Sequence, residues 1–252
     1  MKARVRWLTN VAFQIDCCSK TVITDPCLEK TAYQGFHADS FVNVDYVVLS
    51  HVHWDHIYDL KAMVAKYSPK IFVGALSAYE TALYCDSNPS YVYPMFPNQD
   101  VVVDGMNIKC IATRHLVLPS KAQSQVERGA KADFFPDRPG MGPMHMLGTL
   151  DMNCYLMTFD NGFTVLFAGG ELTKDIFAKT KDLRPDLLLF QYSTDDEKRT
   201  VEFINNVNPV AMMPHHDDMK VLRSERLDRL VSLEKALGRK IDYPLNGQWI
   251  EF

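Results

Sequence analysis

The 252-residue chain contains no apolar run near the ~20 residues that a membrane helix needs. Its opening, MKARVRWLTNVAF, lacks the apolar stretch of a secretory signal. Both absences lead to the expectation of a cytoplasmic protein with no membrane partner. Positive charge is not in excess either: 27 Lys and Arg stand against 31 Asp and Glu, a net charge of −4. Without a basic field the chain has no general means of concentrating nucleic acid, so polyanion binding is disfavoured. The six Cys, at 17, 18, 27, 85, 110 and 154, include no CxxC pair. They read as reduced, mostly buried thiols, not as a secreted disulfide framework. Only 12 Gly and 13 Pro occur, with no repeat and no low-complexity run, which excludes collagen-like and disordered chains. What remains is 47% hydrophobic residues, enough for a sizeable core in one domain spanning 1–252.

Period-two alternation and β-branched runs predict strands over 3–8, 11–16, 20–24, 44–50, 70–74, 100–104, 107–113, 153–159, 163–168, 186–191 and 209–213. Asn161-Gly162 and Asp104-Gly105 are hairpin signals. Helical spacing predicts helices over 57–67, with Leu60, Met63, Val64 and Tyr67 on one face, and over 224–237, with Leu227, Leu230, Val231 and Leu237 inward and Gly238 as the stop. Shorter helices are expected near 76–84 and 196–206. The class is mixed α and β, with sheets covered by helices. The segment 116–150 has many Pro and Gly and no periodicity; a loop of that length in a compact domain is usually functional.

The eight His are unevenly placed. Directly after the apolar run 44–50 comes Ser50-His51-Val52-His53-Trp54-Asp55-His56, an HxHxDH pattern with four potential ligands in six residues. Three His in such a window should arise by chance in only about 1% of chains of this composition, so the pattern carries weight. His51 and His53, two apart on extended backbone, project to the same side and can share one ion. Asp55 and His56 then turn toward a second ion or a bound water. Imidazole with carboxylate suits Zn²⁺, and also Mn²⁺, Fe²⁺ or Ni²⁺, at one or two per chain. Two more clusters follow strand ends: His115 after 107–113, and His215-His216 after 209–213. His37 reads as a surface residue, and His145 as a candidate substrate contact.

With these residues in place, the sequence resembles the metallo-β-lactamase superfamily over nearly its whole length. VRWLTNVAFQIDCCSKTVITDP looks like the first strands, SHVHWDHIYDL the HxHxDH signature, ATRH the next His motif, NCYLMTFDNGFTVLFAGGE the strand pair before an acidic ligand, and MMPHHDD the final motif. The branch it looks most like includes the ascorbate-6-phosphate lactonases. The resemblance implies an α/β fold of the αββα sandwich type, with a dinuclear site at one edge. Carried over, His51, His53 and His115 hold the first ion; Asp55, His56 and His216, with His215 as the alternative, hold the second. Two departures stand out. Gly169-Gly170-Glu171 replaces the usual Gly-Asp, so either Glu171 reaches the metals or the bridging carboxylate is missing. Thr9-Asn10 replaces a Gly-His pair.

The implied chemistry is hydrolysis by a metal-activated water, with Asp55 both a ligand and the group that orients the water and passes on a proton. Asp25, Ser50 and Asp218 are candidates for fixing the His tautomers. Arg114, Lys121, Arg128, Lys131 and Arg138 lend 113–139 a cationic character suited to an anionic substrate. The leading expectation is therefore a hydrolase of a small-molecule ester, lactone or phosphoester. A phosphodiesterase or nuclease acting on RNA or DNA is the alternative, as is a non-catalytic metal- or ligand-binding protein; oligomerisation is left open.

Overall fold

The computed structural model describes residues 3–31, 35–115, 140–192, 196–216 and 223–252, without the side chains of 223–225. Two sheets stack face to face. The first has seven strands: β1 (Ala3–Thr9), β2 (Ala12–Cys17), β3 (Lys20–Thr24), β4 (Tyr46–Val48), β5 (Lys70–Gly74), β6 (Val92–Met95) and, at its other edge, the C-terminal Trp249–Glu251 strand. The second has six, in the order β12 (Ala211–His215), β11 (Leu187–Gln191), β10 (Thr164–Ala168), β9 (Met152–Phe159), β8 (Met106–Thr113) and β7 (Asp100–Val103). Both mix antiparallel hairpins with parallel pairs. Asp104 and Gly105 both take left-handed φ between β7 and β8, as a tight hairpin turn requires.

Three apolar clusters give the layering. Val5, Trp7, Phe13 and Phe72 of the first sheet meet Ile108, Tyr155, Phe167 and Leu189 of the second, forming the buried middle. The outer face of the first sheet is covered by α1 (Trp54–Ile57), α2 (Leu60–Tyr67), α3 (Ala78–Tyr84) and α4 (Met141–Leu150). The outer face of the second is covered by α5 (Lys174–Thr180), α6 (Glu197–Val207) and α7 (Arg223–Leu237). The result is the expected αββα sandwich. Among the described residues no helix is long and apolar enough to cross a membrane.

Several details differ from the sequence reading. The 44–50 strand shortens to Tyr46–Val48, and the 209–213 strand runs on to His215, so His215 ends the strand and does not follow it. β6 was not expected because it contains Pro94. It is an edge strand, where a missing N–H costs no ladder bond, and the same holds for Pro214 in β12. The 116–150 segment is not irregular throughout: Met141–Leu150 is helical, and Pro143 falls in its first turn, where its absent N–H has no intrahelical partner to lose. Residues 116–139, with Lys121, Arg128, Lys131 and Arg138, lie outside the described residues, as does Asp218. On α7 the buried side is Leu230 and Leu233, while Leu227 and Val231 are 39% and 55% exposed. Gly238 does stop that helix, with φ +64° and its N–H on the Glu234 carbonyl.

The layering makes a clear prediction. Phe167→Ala empties a fully packed position between the sheets and should cost about 3–5 kcal/mol. Val231→Ala on the outer side of α7 should stay within about 0.5 kcal/mol. Urea unfolding of both variants, with unchanged m, checks the assignment; equal losses would contradict it.

Candidate metal centre

Strands β3, β4, β8, β10 and β12 all end at one edge of the sandwich, and the residues just beyond them meet there. The loop after β4 is buried, and its backbone is joined to the second sheet by the Asn153 N–H donating to the Ser50 carbonyl at 2.9 Å. His51 and His53 leave this loop on one side, their ring centroids 4.6 Å apart, and His115, just past β8, closes the group at 4.9 and 4.4 Å from them. One ligand atom from each of the three lies within 4.8 Å of the others. Asp55 and His56 are carried round by the first turn of α1 and join His216 in a second group whose ligand atoms also lie within 4.8 Å of one another. Between the two triads, the His51 and His56 rings are 3.9 Å apart.

A buried carboxylate orients this loop. Asp25, fully buried after β3 with φ +34°, accepts the Ser50 N–H on Oδ1 at 2.7 Å. On Oδ2 it accepts the Ser50 hydroxyl and His56 Nδ1, the latter at 2.7 Å. The network then assigns tautomers. Ser50 Oγ gives its proton to Asp25, so it accepts from His51 Nδ1 at 3.0 Å and leaves His51 Nε2 with a free lone pair. His56, bound through Nδ1–H, likewise presents Nε2 to the second group. His51 Nε2 and His115 Nδ1 are buried and have no hydrogen-bond partner among the described residues. Buried acceptors left open in this way are what a divalent cation would satisfy, so the donor set fits one.

Electrostatics agree. Burial lowers the His51 and His53 imidazoles well below their ordinary range, and their neighbouring His residues add to it. His115 is pushed down to about 4 by burial, with His56 contributing. These rings are neutral, the form that binds metal. Burial works to raise the Asp55 carboxyl, but His56 and the bond with His216 outweigh it and hold the group below the usual carboxylate range. His56 goes the other way: burial lowers it, and Asp25 and Asp55 more than compensate.

Not every expected residue joins. Glu171 is exposed and stands outside both groups; its N–H donates to the Arg114 carbonyl at 2.7 Å and its own carbonyl accepts from Thr113 Oγ1 at 3.0 Å. Gly170 has φ +85°, and a Cβ there would run into the Arg114 carbonyl. His215 points into the core, with Nε2 3.0 Å from the Ala168 carbonyl and its ring against Phe13 and Phe167, so His216 is the one at the site. His37 is exposed, as expected. His145, on α4, stacks on His53 at 4.1 Å between centroids and is partly open to solvent.

Two residues escaped the sequence reading. Thr149, one turn after His145, bonds His53 Nε2 at 3.0 Å. Gly148 lets α4 come this close: a Cβ there would lie 2.7 Å from the His53 backbone nitrogen. A small residue beside a hydroxyl at helical spacing was the available signal, hidden by failure to see the helix. Asn10, noted only as a departure, is buried with φ +47°, donates from Nδ2 to the Asp55 carbonyl at 2.8 Å, and accepts the His216 N–H on its own carbonyl at 3.2 Å.

His51, His53, His115, His145 and His215 all have lowered folded-state values. The unfolded chain therefore binds more protons in acid, and the stability due to neutral burial is present above about pH 6.5 and lost as pH falls from there through about 4. His56 opposes this as a single group. The metal-free protein should show a falling Tm across that window; a Tm that is flat or rises on acidification would contradict neutral burial.

The Beta-lactamase superfamily domain model matches residues 4–216. No curated protein matches the chain. Among solved structures, Igni18, a metallo hydrolase from Ignicoccus hospitalis, superposes with a TM-score of 0.70 at 14% identity, covering 99% of each chain. An isothiocyanate hydrolase from Delia radicum gut bacteria gives 0.66 at 18%, covering 99% of this chain and 98% of the other. CmlA, a diiron beta-hydroxylase from Streptomyces venezuelae, gives 0.64 at 13%, covering all of this chain and 54% of that one. Such identities speak to fold alone, and they agree with the two-sheet architecture. The family match extends across most of the sequence, so the chain belongs to the beta-lactamase superfamily and carries its metallo-β-lactamase fold.

Proposed function

We propose that this protein is a metal-dependent hydrolase of a small molecule, with His51, His53 and His115 holding one divalent ion and Asp55, His56 and His216 a second. The observation that carries this reading is the gathering of six donors, from three strand ends far apart in sequence, into two compact triads at one edge. A divalent ion held there supplies an acidified water, with a pKa lowered to ~7. The chain does the rest. Asp55 orients that water and takes up a proton on the way to the leaving group, Asp25 and Ser50 hold the imidazoles in their donor tautomers, and His145 at the rim contacts a polar group of the substrate. Imidazole-rich triads suit Zn²⁺ first, with Mn²⁺, Fe²⁺ or Ni²⁺ as substitutes. Glu171, exposed and apart, is left out of the ligand set.

Substrates with an electrophilic carbonyl or phosphoryl centre, a lactone, ester or phosphoester, match this chemistry. The isothiocyanate hydrolase among the structural neighbours adds an electrophilic heterocumulene carbon to the classes worth trying. A net charge of −4 places a small molecule, possible anions included, ahead of RNA or DNA. The fold also serves a diiron hydroxylase, so iron-loaded protein belongs in the same comparison.

The combined His51→Ala, His53→Ala variant should lose the first ion and all measurable turnover against a panel of lactones, phosphoesters and isothiocyanates. Full metal content in that variant by elemental analysis would sink the proposal. Asp25→Asn should retain the ligands yet bind metal roughly 10–100-fold more weakly, as loss of an outer hydrogen-bond partner does elsewhere. An unchanged affinity, measured by chelator competition, would remove Asp25 from its positioning role.

A further inference from the structure

On an extended strand neighbouring side chains point to opposite faces, so adjacent cysteines keep their sulfurs apart. Cys17 and Cys18 do not. The register of β2 on β3 pairs Cys17 with Lys20, which leaves Cys18 and Ser19 as a two-residue hairpin turn with φ of +51° and +59°. Such a turn favours Asn-Gly, and Cys-Ser holds it only under backbone strain. The left-handed backbone at Cys18 swings its side chain back toward Cys17, and the sulfurs stand 3.7 Å apart.

Both thiols are free, Cys18 exposed and Cys17 buried, and Cys17 Sγ also lies 3.5 Å from Asn161 Oδ1. Burial first, and then the contact with Cys18, pushes the Cys17 thiol up to about 12, so it stays protonated and the pair carries no double negative charge. Among the described residues, an open cavity of about 390 Å³ has both cysteines, Arg4, Asp16 and Lys20 on its wall. That is room for a small organic group.

The spacing selects what can bridge the pair. Neighbouring Cα atoms are about 3.8 Å apart, shorter than the ~4.4–6.8 Å of ordinary disulfides, so a direct S–S bond here is strained. Two sulfurs on one tetrahedral atom at about 2.3 Å stand about 3.8 Å apart, so a single bridging atom fits without moving the turn. A structural zinc ion needs four protein donors and finds two sulfurs. Trivalent arsenic bearing one organic group needs only two, and as a soft acceptor it is matched to thiolate.

We infer that the Cys17-Cys18 turn is a binding site for monosubstituted trivalent arsenicals, R–As(OH)2. Both As–O bonds break, two As–S bonds form, and each thiol proton leaves with a hydroxyl as water; arsenic stays trivalent. Cys18, the exposed thiol, attacks first and Cys17 closes the ring. The site does not rest on the hydrolase reading and is remote from the metal centre. β2 begins two residues after Asn10 and β3 ends beside Asp25, whereas the turn is at the other end of both strands.

The test is intact-mass spectrometry of the full chain, zinc-loaded and reduced without thiols, after exposure to phenylarsine oxide, which hydrates to the R–As(OH)2 form. One phenylarsenic group per chain is expected, mapped to the peptide holding Cys17 and Cys18, with Cys18 newly protected from iodoacetamide and no zinc lost. Excess monothiol should leave it in place, and 2,3-dimercaptopropanol should remove it. Cys18→Ser, and separately Cys17→Ser, removes the second, intramolecular bond and should weaken capture roughly 100-fold. No adduct, an adduct mapped to Cys27, Cys85, Cys110 or Cys154, capture unchanged in Cys18→Ser, or zinc displaced in proportion to arsenic overturns the inference. A chain that takes up no zinc counts against the hydrolase reading and leaves the dithiol test as it stands. Circular dichroism checks the fold of each variant, and the wild-type map decides the site by itself should one fail to fold.

Discussion

A carboxylate sealed from water governs the placement of everything at this edge. Asp25 is fully buried, and an unpaired charge in that position would be strongly destabilising. It is stable because Ser50 supplies an N–H and an O–H and His56 supplies a ring N–H. Those three bonds join the end of β3 to the loop after β4, so the loop cannot shift without exposing a charge to an apolar surround. The left-handed φ at Asp25 turns the chain away directly after the carboxylate is placed. The same residue thus serves as turn, anchor and tautomer switch. A second buried carboxylate, Asp59, repeats the device on the other side of α1, accepting the N–H groups of Leu28 and Glu29 at 2.6 and 3.1 Å.

The sandwich converts this local order into a site. Parallel pairing of β3 with β4 and of β11 with both β10 and β12 brings strand ends of the two sheets to one edge. Residues separated by about 160 positions, Asp55 and His216, become hydrogen-bonded neighbours. Asn10 performs the join at the first sheet's own turn: its side chain holds the Asp55 carbonyl, and its main chain holds the His216 N–H. Trp7 Nε1 bonds the same Asn10 carbonyl at 3.1 Å, and Arg226 of α7 lies over the Trp7 ring at 4.6 Å, so a helix of the second sheet's outer layer bears on the second triad.

The parts of this arrangement that were legible in the sequence are those written in local spacing. Alternating apolar residues located most strands, and the dense run from His51 to His56 marked a candidate ligand loop without any tertiary information. The edge strand β6 was harder, because Pro94 contradicts the strand pattern and is tolerated only where no neighbour needs the missing N–H, whereas β12 was expected over 209–213 and only its extension through Pro214 was not. Helix α4 was hidden by Gly142, Pro143 and Gly148, each acceptable for a reason that depends on position: an N-terminal turn for the first two, and close approach to His53 for the third. The expected inward face of α7 holds for Leu230 and Leu237 but not for Leu227 and Val231, because contact with the second sheet's outer cluster favours Leu230 and Leu233. Glu171 was offered as a ligand through the family resemblance, in place of the usual Asp, with a missing bridge as the alternative. Its exposure follows from the φ of Gly170, a backbone property that a string of letters conveys only as a glycine.

Hydroxyl groups complete the logic of the imidazoles. Ser50 and Thr149 each stand between an acceptor and a ring nitrogen, and in each case the direction of the acceptor decides which nitrogen keeps its lone pair. Ser50 gives its proton to Asp25 and so receives one from His51 Nδ1, turning Nε2 toward the first triad. Thr149 gives its proton to the His145 carbonyl at 3.3 Å, one helical turn back, and so receives one from His53 Nε2, which leaves Nδ1 as the donor. The two adjacent imidazoles of this short loop therefore keep lone pairs on opposite ring nitrogens. Helix α4 is then part of the site and not merely a cover, since without the Thr149 hydroxyl and the bare Cα of Gly148 nothing described would set the His53 ring in that sense.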